Sequence, residues 1–267
     1  MTSMRYRLDH DLHLHSQLSL CSDDPAQTPE AMLQYAQQNG LSTICLTDHY
    51  WDAAVPGAEH FDFYRRQDFD HVARSKPLPQ AKGVRFLFGC ETDLDRYGTL
   101  GIPPARFDDF DFIIIPTTHL HMDGFTLRGD ETTEERAALW CSRLDRVLAM
   151  DLPFEKVGIA HLTCSLLAED YRAVLNAVSD DAYRVRFAKA AALGVGIELN
   201  FNALSQTPEQ LEQELRPYRI AKAAGCRFYF GSDSHHPAHL LHAMENFRTI
   251  ADALDLDESE KFRIAQK

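Results

Sequence analysis

Seven short stretches, most of them apolar and rich in β-branched or aromatic residues and the first an alternation of leucine with polar residues, punctuate the chain near residues 8–14, 42–47, 84–90, 111–118, 156–161, 195–200 and 227–232. Such runs, bounded by polar residues and glycines, read as strands, and Thr43-Ile44-Cys45-Leu46-Thr47 and Phe112-Ile113-Ile114-Ile115 are the plainest of them. Most intervals between them have helical character. Thr28-Pro29-Glu30 combines an N-cap residue, a proline at the first helical position and an early acid, and Gly40 follows the last turn, so this helix joins the first two strands. Thr207-Pro208-Glu209 opens another helix running toward Gly225. Residues 132–149 and 180–193 carry the helix formers Ala, Leu, Arg and Glu, and a final helix is expected from Pro237. Strands alternating with helices imply βαβ units and a parallel sheet. Seven units are too few for a regular eight-stranded barrel. The expected fold is therefore α/β, a distorted seven-stranded TIM-like barrel with its site at the C-terminal strand ends. The segments 50–80 and 119–132 exceed the usual connection length and are expected to cover or line that end.

Composition narrows the function classes. A chain of 267 residues with 45% hydrophobic content suffices for one large core, and one domain over 1–267 is expected. The formal charge of −13, with no basic block, disfavours nucleic acid as a partner and favours a small-molecule substrate. No apolar run approaches the roughly 20 residues needed to span a bilayer, and the polar start lacks a signal core, so a soluble, cytoplasmic protein is expected. The six cysteines form no Cys-x-x-Cys pair, which argues against a disulfide framework or a thiolate zinc site.

Histidines and carboxylates recur where the apolar runs end: His13 and His15, Asp48 and His49, Glu91, His119, His161, Asp233 and His235. In a parallel barrel these ends converge on one face. The i, i+2 spacing of His13 and His15 puts both imidazoles on one side of a strand, with Asp11 one step earlier to orient a ligand. Each residue alone has a plainer explanation: a lone glutamate after a strand is usually a surface residue, and a buried neutral histidine usually serves one hydrogen bond. Seven or more independent placements at strand ends make a multinuclear metal site the better account.

Asp11-Leu12-His13-Leu14-His15-Ser16, Thr47-Asp48-His49, Glu91 followed by His119, and His161 with Gly231-Ser232-Asp233-Ser234-His235 resemble, in order and spacing, the motifs of the PHP (polymerase and histidinol phosphatase) family of metal-dependent hydrolases. The resemblance spans nearly the whole chain. It implies a distorted (β/α)7 barrel and two or three divalent ions, zinc, manganese or iron. The first ion would take His13, His15, Glu91 and Asp233; the second would share Glu91 and add His119 and His161. The third would take His49, His235 and a ligand from Cys21-Ser22-Asp23-Asp24, with Asp23 chosen over Asp24. Many histidinol phosphatases have a histidine at that point. The implied reaction is attack of metal-activated hydroxide on phosphorus in a small phosphorylated metabolite or nucleotide. Asp48 and His235 are the candidate catalytic groups, Asp48 by orienting a ligand or shuttling a proton.

His121 is a rival to His119, whereas His236, His239 and His242 read as surface residues. Arg65, Arg66 and Arg128 lie in the long segments, where guanidinium can pair with phosphate, although a solvated arginine is the plainer reading. Histidinol phosphate is the sharpest candidate substrate. An amidohydrolase-like metal hydrolase is an alternative, but that class takes a carboxylated lysine after the fourth strand, where this chain has His119 and His121. A PHP domain that binds metal without catalysis is a second alternative.

Overall fold

The computed structural model describes residues 5–264. Its strands are β1 His10–Leu14, β2 Thr43–Leu46, β3 His49–Tyr50, β4 Arg85–Thr92, β5 Phe112–Pro116, β6 Val157–Ala160, β7 Gly196–Leu199 and β8 Arg227–Phe230. All pair in parallel, in the order β1-β2-β4-β5-β6-β7-β8, with β3 also on β4. The seven expected strands are present. The two-residue β3 was not foreseen; it resumes the line of β2 after a break at Thr47-Asp48 and sets His49 beside Glu91 on β4. The ring closes between β8 and β1 at the C-terminal end, where the Asp233 amide donates to the His13 carbonyl (2.8 Å) and the His15 amide to the Ser234 carbonyl (3.0 Å). The result is a nearly closed seven-stranded α/β barrel.

Alternation along each strand separates two apolar layers. Ile44, Leu46, Ile113, Ile115, Val157, Ile159, Phe228 and Phe230 point outward into the layer covered by helices. Leu12, Cys45, Leu87, Phe112, Ile114, Ala160 and Tyr229 fill the barrel interior, where Phe262 joins them. The interior narrows around Tyr229: a Cβ on Gly158 would stand 2.4 Å from its hydroxyl oxygen, so only glycine fits there. This filled floor leaves the other end of the barrel to polar side chains.

The helices follow their caps. Pro29–Asn39 begins with the Thr28 hydroxyl accepting from the Ala31 amide and ends at Gly40, whose φ of 68° is the left-handed stop that glycine accepts most readily. Pro208–Ala223 has a full capping box from Thr207 and Gln210, and Thr133–Val147 one from Thr132 and Glu135. Asp180–Leu193 is capped by Ser179. One expectation needs correction. Pro237 opens only a 3₁₀ turn, Pro237–Leu240, and the last α-helix starts at Ala243. The physical reason is the apolar stripe: Ala243, Phe247, Ile250 and Ala251 face the core at helical spacing, whereas Leu241 just before them is exposed.

A candidate metal centre at the open end of the barrel

Glu91 stands at the middle of the site. It lies two and four residues beyond the inward positions Gly89 and Leu87, so the strand period carries it inside as well. It is almost wholly buried, and neither carboxylate oxygen has a hydrogen-bond partner. The two oxygens face different sets of imidazoles. Oε2 lies 3.4 Å from His13 Nε2, 3.2 Å from His15 Nε2 and 3.0 Å from His49 Nδ1. Oε1 lies 3.4 Å from His161 Nε2 and 3.7 Å from His119 Nε2. Across the space, Asp233 Oδ1 is 3.4 Å from His13 Nε2 and 3.1 Å from His15 Nε2.

Three groups of potential ligand atoms emerge, each with all atoms within 4.8 Å of one another: His13, His15, Glu91 and Asp233; Glu91, His119 and His161; and His15, His49 and His235. The first two are the sets expected from the sequence. The third differs, with His15 completing it and Asp23 exposed and outside every group. Asp24 is turned away toward His236, 2.7 Å distant. His121 is exposed on the cavity wall and belongs to no group.

The donor set fits divalent cations on two counts. Glu91 Oε1 and Oε2, His49 Nδ1, His161 Nε2 and Asp233 Oδ1 are buried polar atoms without hydrogen-bond partners, all aimed into one space, an arrangement that costs free energy unless a cation fills it. The opposite ring nitrogens are occupied. His13 Nδ1 is bound to Glu198 Oε1 (2.7 Å), His15 Nδ1 to Ser19 Oγ (2.9 Å), His119 Nδ1 to Asp93 Oδ2 (2.8 Å), His161 Nδ1 to Thr118 Oγ1 (2.6 Å) and His235 Nδ1 to the Asp233 carbonyl (2.9 Å). Such contacts hold each ring so that its other nitrogen points inward.

Electrostatics carry the same demand for positive charge. Burial alone would push Asp233 up, but His13, His15 and His235 hold it well below the usual carboxylate range. Burial would likewise lower His15, yet the close carboxylates of Asp233 and Glu91 outweigh that and leave it pushed up to about 9. Two candidate ligands sit in strained backbone: His161 has φ of 23° and Asp233 of 52°, left-handed conformations that cost a non-glycine residue about 1–2 kcal/mol.

Two acidic residues absent from the sequence-based ligand sets organise this end of the barrel. Glu198, fully buried on β7, spans the site: Oε1 meets His13 Nδ1 and Oε2 accepts from the His161 amide at 2.8 Å. Asp93 receives His119 while Arg143 and the Tyr64 hydroxyl anchor it from behind. Their inward places two residues beyond Gly196 and Glu91 were the available signal, but an acid within a strand or just past its end gives no hint of its partner. Asp11 ties β1 to the segment after β8, accepting from the Ser232 amide (2.9 Å). Asp48 accepts from the Ser16 amide and hydroxyl (both 2.7 Å) and from Ser19 Oγ (2.8 Å), and thus steadies His15 through Ser19.

A cavity of about 450 Å³ opens over Glu91, His119, Asp233 and His235, with Phe61, Phe63, Tyr64 and Met122 in its wall. The long segments after the second and fourth predicted strands supply that wall. Tyr50 and Trp51 lie beneath the surface, Tyr50 in the core and Trp51 against Tyr64 and Phe125. Arg65 and Arg128 pair at the surface with Asp62 and Asp130 instead of facing the cavity.

The PHP domain family model matches residues 11–255. The chain belongs to the PHP family. Its relatives include a "probable phosphatase" of Vibrio parahaemolyticus, 26% identical over 229 residues covering 84% of this chain and 77% of that one. Another from Vibrio vulnificus is 27% identical over 204 residues, covering 75% and 68%. Among solved structures, histidinol phosphate phosphatase from Lactococcus lactis, complexed with zinc, L-histidinol and phosphate, matches 96% of this chain and 98% of its own with a TM-score of 0.57. At 16% identity, that likeness speaks for the barrel fold alone.

Proposed function

We propose that this protein is a metal-dependent phosphoesterase that hydrolyses a small phosphorylated metabolite or nucleotide. The observation that carries the reading is Glu91, a buried carboxylate whose two unpartnered oxygens face separate imidazole sets, as a bridge between two cations requires. The relatives named probable phosphatases and the phosphate bound by the structural neighbour support the reaction class. His13, His15, Glu91 and Asp233 would hold one ion, Glu91, His119 and His161 a second, and His15, His49 and His235 provide the nitrogens for a third. Nitrogen and oxygen ligands suit zinc, manganese or iron. When bound, such ions neutralise phosphate oxygens and acidify water.

The chain's own groups do the rest. Glu198 orients His13 directly, and Asp48, whose oxygens accept from Ser16 and Ser19, acts as a positioning group for His15. His235 lines the cavity; burial and the neighbouring His15 push it down to about 4, so its ring is neutral at pH 7 and suited to ligation more than to acid catalysis. The aromatic wall excludes water from one side and favours a leaving group with an apolar or ring portion. The amidohydrolase alternative is disfavoured because the residue common to the first two candidate ligand groups is Glu91 and not a lysine.

Phosphate release from histidinol phosphate, mononucleotides, bisphosphorylated nucleotides and sugar phosphates, by protein loaded separately with manganese, zinc and iron, tests the proposal. Selective metal-dependent release is expected. No release at full metal occupancy would overturn it in favour of a non-catalytic metal domain or another hydrolysis.

A further inference from the structure

A second cavity, of about 380 Å³, opens beside the metal cluster, between the segments that follow β6 and β7. His161 and Asp233 line it, and Asp233 also lines the aromatic cavity, so the two spaces meet at the candidate ligands. Their walls differ. Hydroxyl and amide groups, among them Thr163, Ser165, Asn200 and Gln210, surround this second space, together with the guanidinium of Arg172.

Arg172 is held in place from behind. Its Nη2 lies 3.2 Å from Glu214 Oε1, a fully buried carboxylate oxygen that also accepts from the Tyr171 hydroxyl, and the guanidinium carbon sits 4.6 Å from the centre of the Tyr171 ring. Glu214 does not line the cavity. Only one edge of the guanidinium is thereby engaged, and Arg172 Nε is buried without a partner. Asn200 Nδ2 is a second buried donor without one. Gln206 Oε1 is unpartnered too, and a half-turn of its amide would present nitrogen in its place. Buried donors left unpaired cost about 1–3 kcal/mol each, and a tethered guanidinium with a free edge is shaped for a planar or tetrahedral oxyanion.

We propose that this cavity is a second anion subsite, in which Arg172 and Asn200 receive a carboxylate or a further phosphate carried by the substrate whose phosphoester lies against the metal cluster. The inference rests on the phosphoesterase reading for the position of the first phosphate. It narrows the substrate to small phosphoesters bearing a second negative group, with the apolar part of the molecule directed to the aromatic cavity.

The test uses non-hydrolysable probes on the metal-loaded full chain. Propylphosphonate, 3-phosphonopropionate and propane-1,3-diphosphonate would be titrated calorimetrically into wild type, R172M and R172K, with thermal unfolding as a check on folding. Wild type should bind at least one doubly anionic probe about tenfold more tightly than propylphosphonate, and the better of the two identifies carboxylate or phosphate. R172M should lose that preference, whereas R172K, which keeps the charge without the fork, should retain part of it. Equal binding of all three probes by wild type, or an undiminished preference in R172M, would overturn the subsite. Phosphate release from O-phosphoserine and phosphoethanolamine separates the two readings. An Arg172-dependent binding preference without any release would sink the reaction and leave the subsite; release with no preference would do the reverse.

Discussion

Replacing Glu198 by Gln perturbs the site without changing volume or touching a candidate ligand atom. The carboxylate makes two short contacts, to His13 Nδ1 at 2.7 Å and from the His161 amide at 2.8 Å. A glutamine offers one oxygen, so its NH₂ group must face one of these two donors. The variant therefore loses at least one charge-assisted hydrogen bond, worth about 1.5–3 kcal/mol. Because the lost contact holds either the His13 ring or the His161 backbone at a candidate ligand, the loss should emerge as metal affinity, and removal of such supporting groups typically costs about 10–100-fold. The two figures agree, since that range corresponds to about 1.4–2.7 kcal/mol. Competition with a chromophoric chelator would measure the dissociation constant, with thermal unfolding of metal-free protein at the same pH reporting any general damage. The expected result is a 10–100-fold weaker site, about as the energies imply, with turnover restored by excess metal. Affinity within about threefold of wild type, in a variant that unfolds like wild type, would refute the reasoning and reduce Glu198 to a packing residue.

Three further outcomes follow from the same geometry. In Gly231→Ala the new Cβ would meet Glu198 Oε1 at 2.1 Å and His13 Cβ at 2.4 Å, so a loss of about 3 kcal/mol is expected in the denaturant midpoint, together with weakened metal binding; a wild-type midpoint would contradict the packing described. Metal binding should release protons at pH 7.5, because the metal-free pocket holds His15 up at about 9 and His13 well above its ordinary value, so affinity should fall as pH falls. Calorimetry in two buffers of different ionisation enthalpy checks this, and zero proton release would count against it. Burial would raise Asp9, but His10 and Lys261 outweigh it and hold Asp9 well below the ordinary carboxylate value. Its folded-state pKa being depressed, its contribution is present above the unfolded value near pH 4 and is lost as pH falls below. Denaturant unfolding should show Asp9→Asn less stable by about 1–2 kcal/mol at pH 7, with the gap closing toward pH 3; a gap independent of pH would refute it.

Much of the architecture was legible in one dimension because it depends on local rules. The apolar runs placed six of the seven main strands, since a strand buried on both faces tends to continuous hydrophobicity, and the alternating leucines of 8–14 placed β1; Thr28, Thr207, Gly40 and Pro29 marked helix ends because capping is a matter of a few adjacent residues. The start of the last helix was misread at Pro237. A proline signals that a helix can begin, whereas the packing of Ala243, Phe247 and Ile250 decides where it does.

The candidate site divides along the same line. His13, His15, Glu91, His119, His161 and Asp233 declared themselves because strand ends in a parallel barrel converge whatever the helices between them do, and the metal-facing residue types are unusual at such ends. The third set depended on an irregular loop. Nothing local dictates which of Asp23, Asp24 or His15 approaches His49 and His235, and the folded chain brings His15. Glu198 and Asp93 needed the structure because a supporting acid is defined by the ring it holds, 185 residues away for His13 and 26 for His119. Arg172 resembles any surface-helix arginine until Glu214 and Tyr171 are seen to fix it beside His161. The order of residues thus encoded the fold class and most members of the candidate ligand groups, which rest on periodicity and residue chemistry. Which donors face one another, which stay unpaired and which space adjoins the cluster are properties of closure between distant strands, and only the tertiary structure decided them.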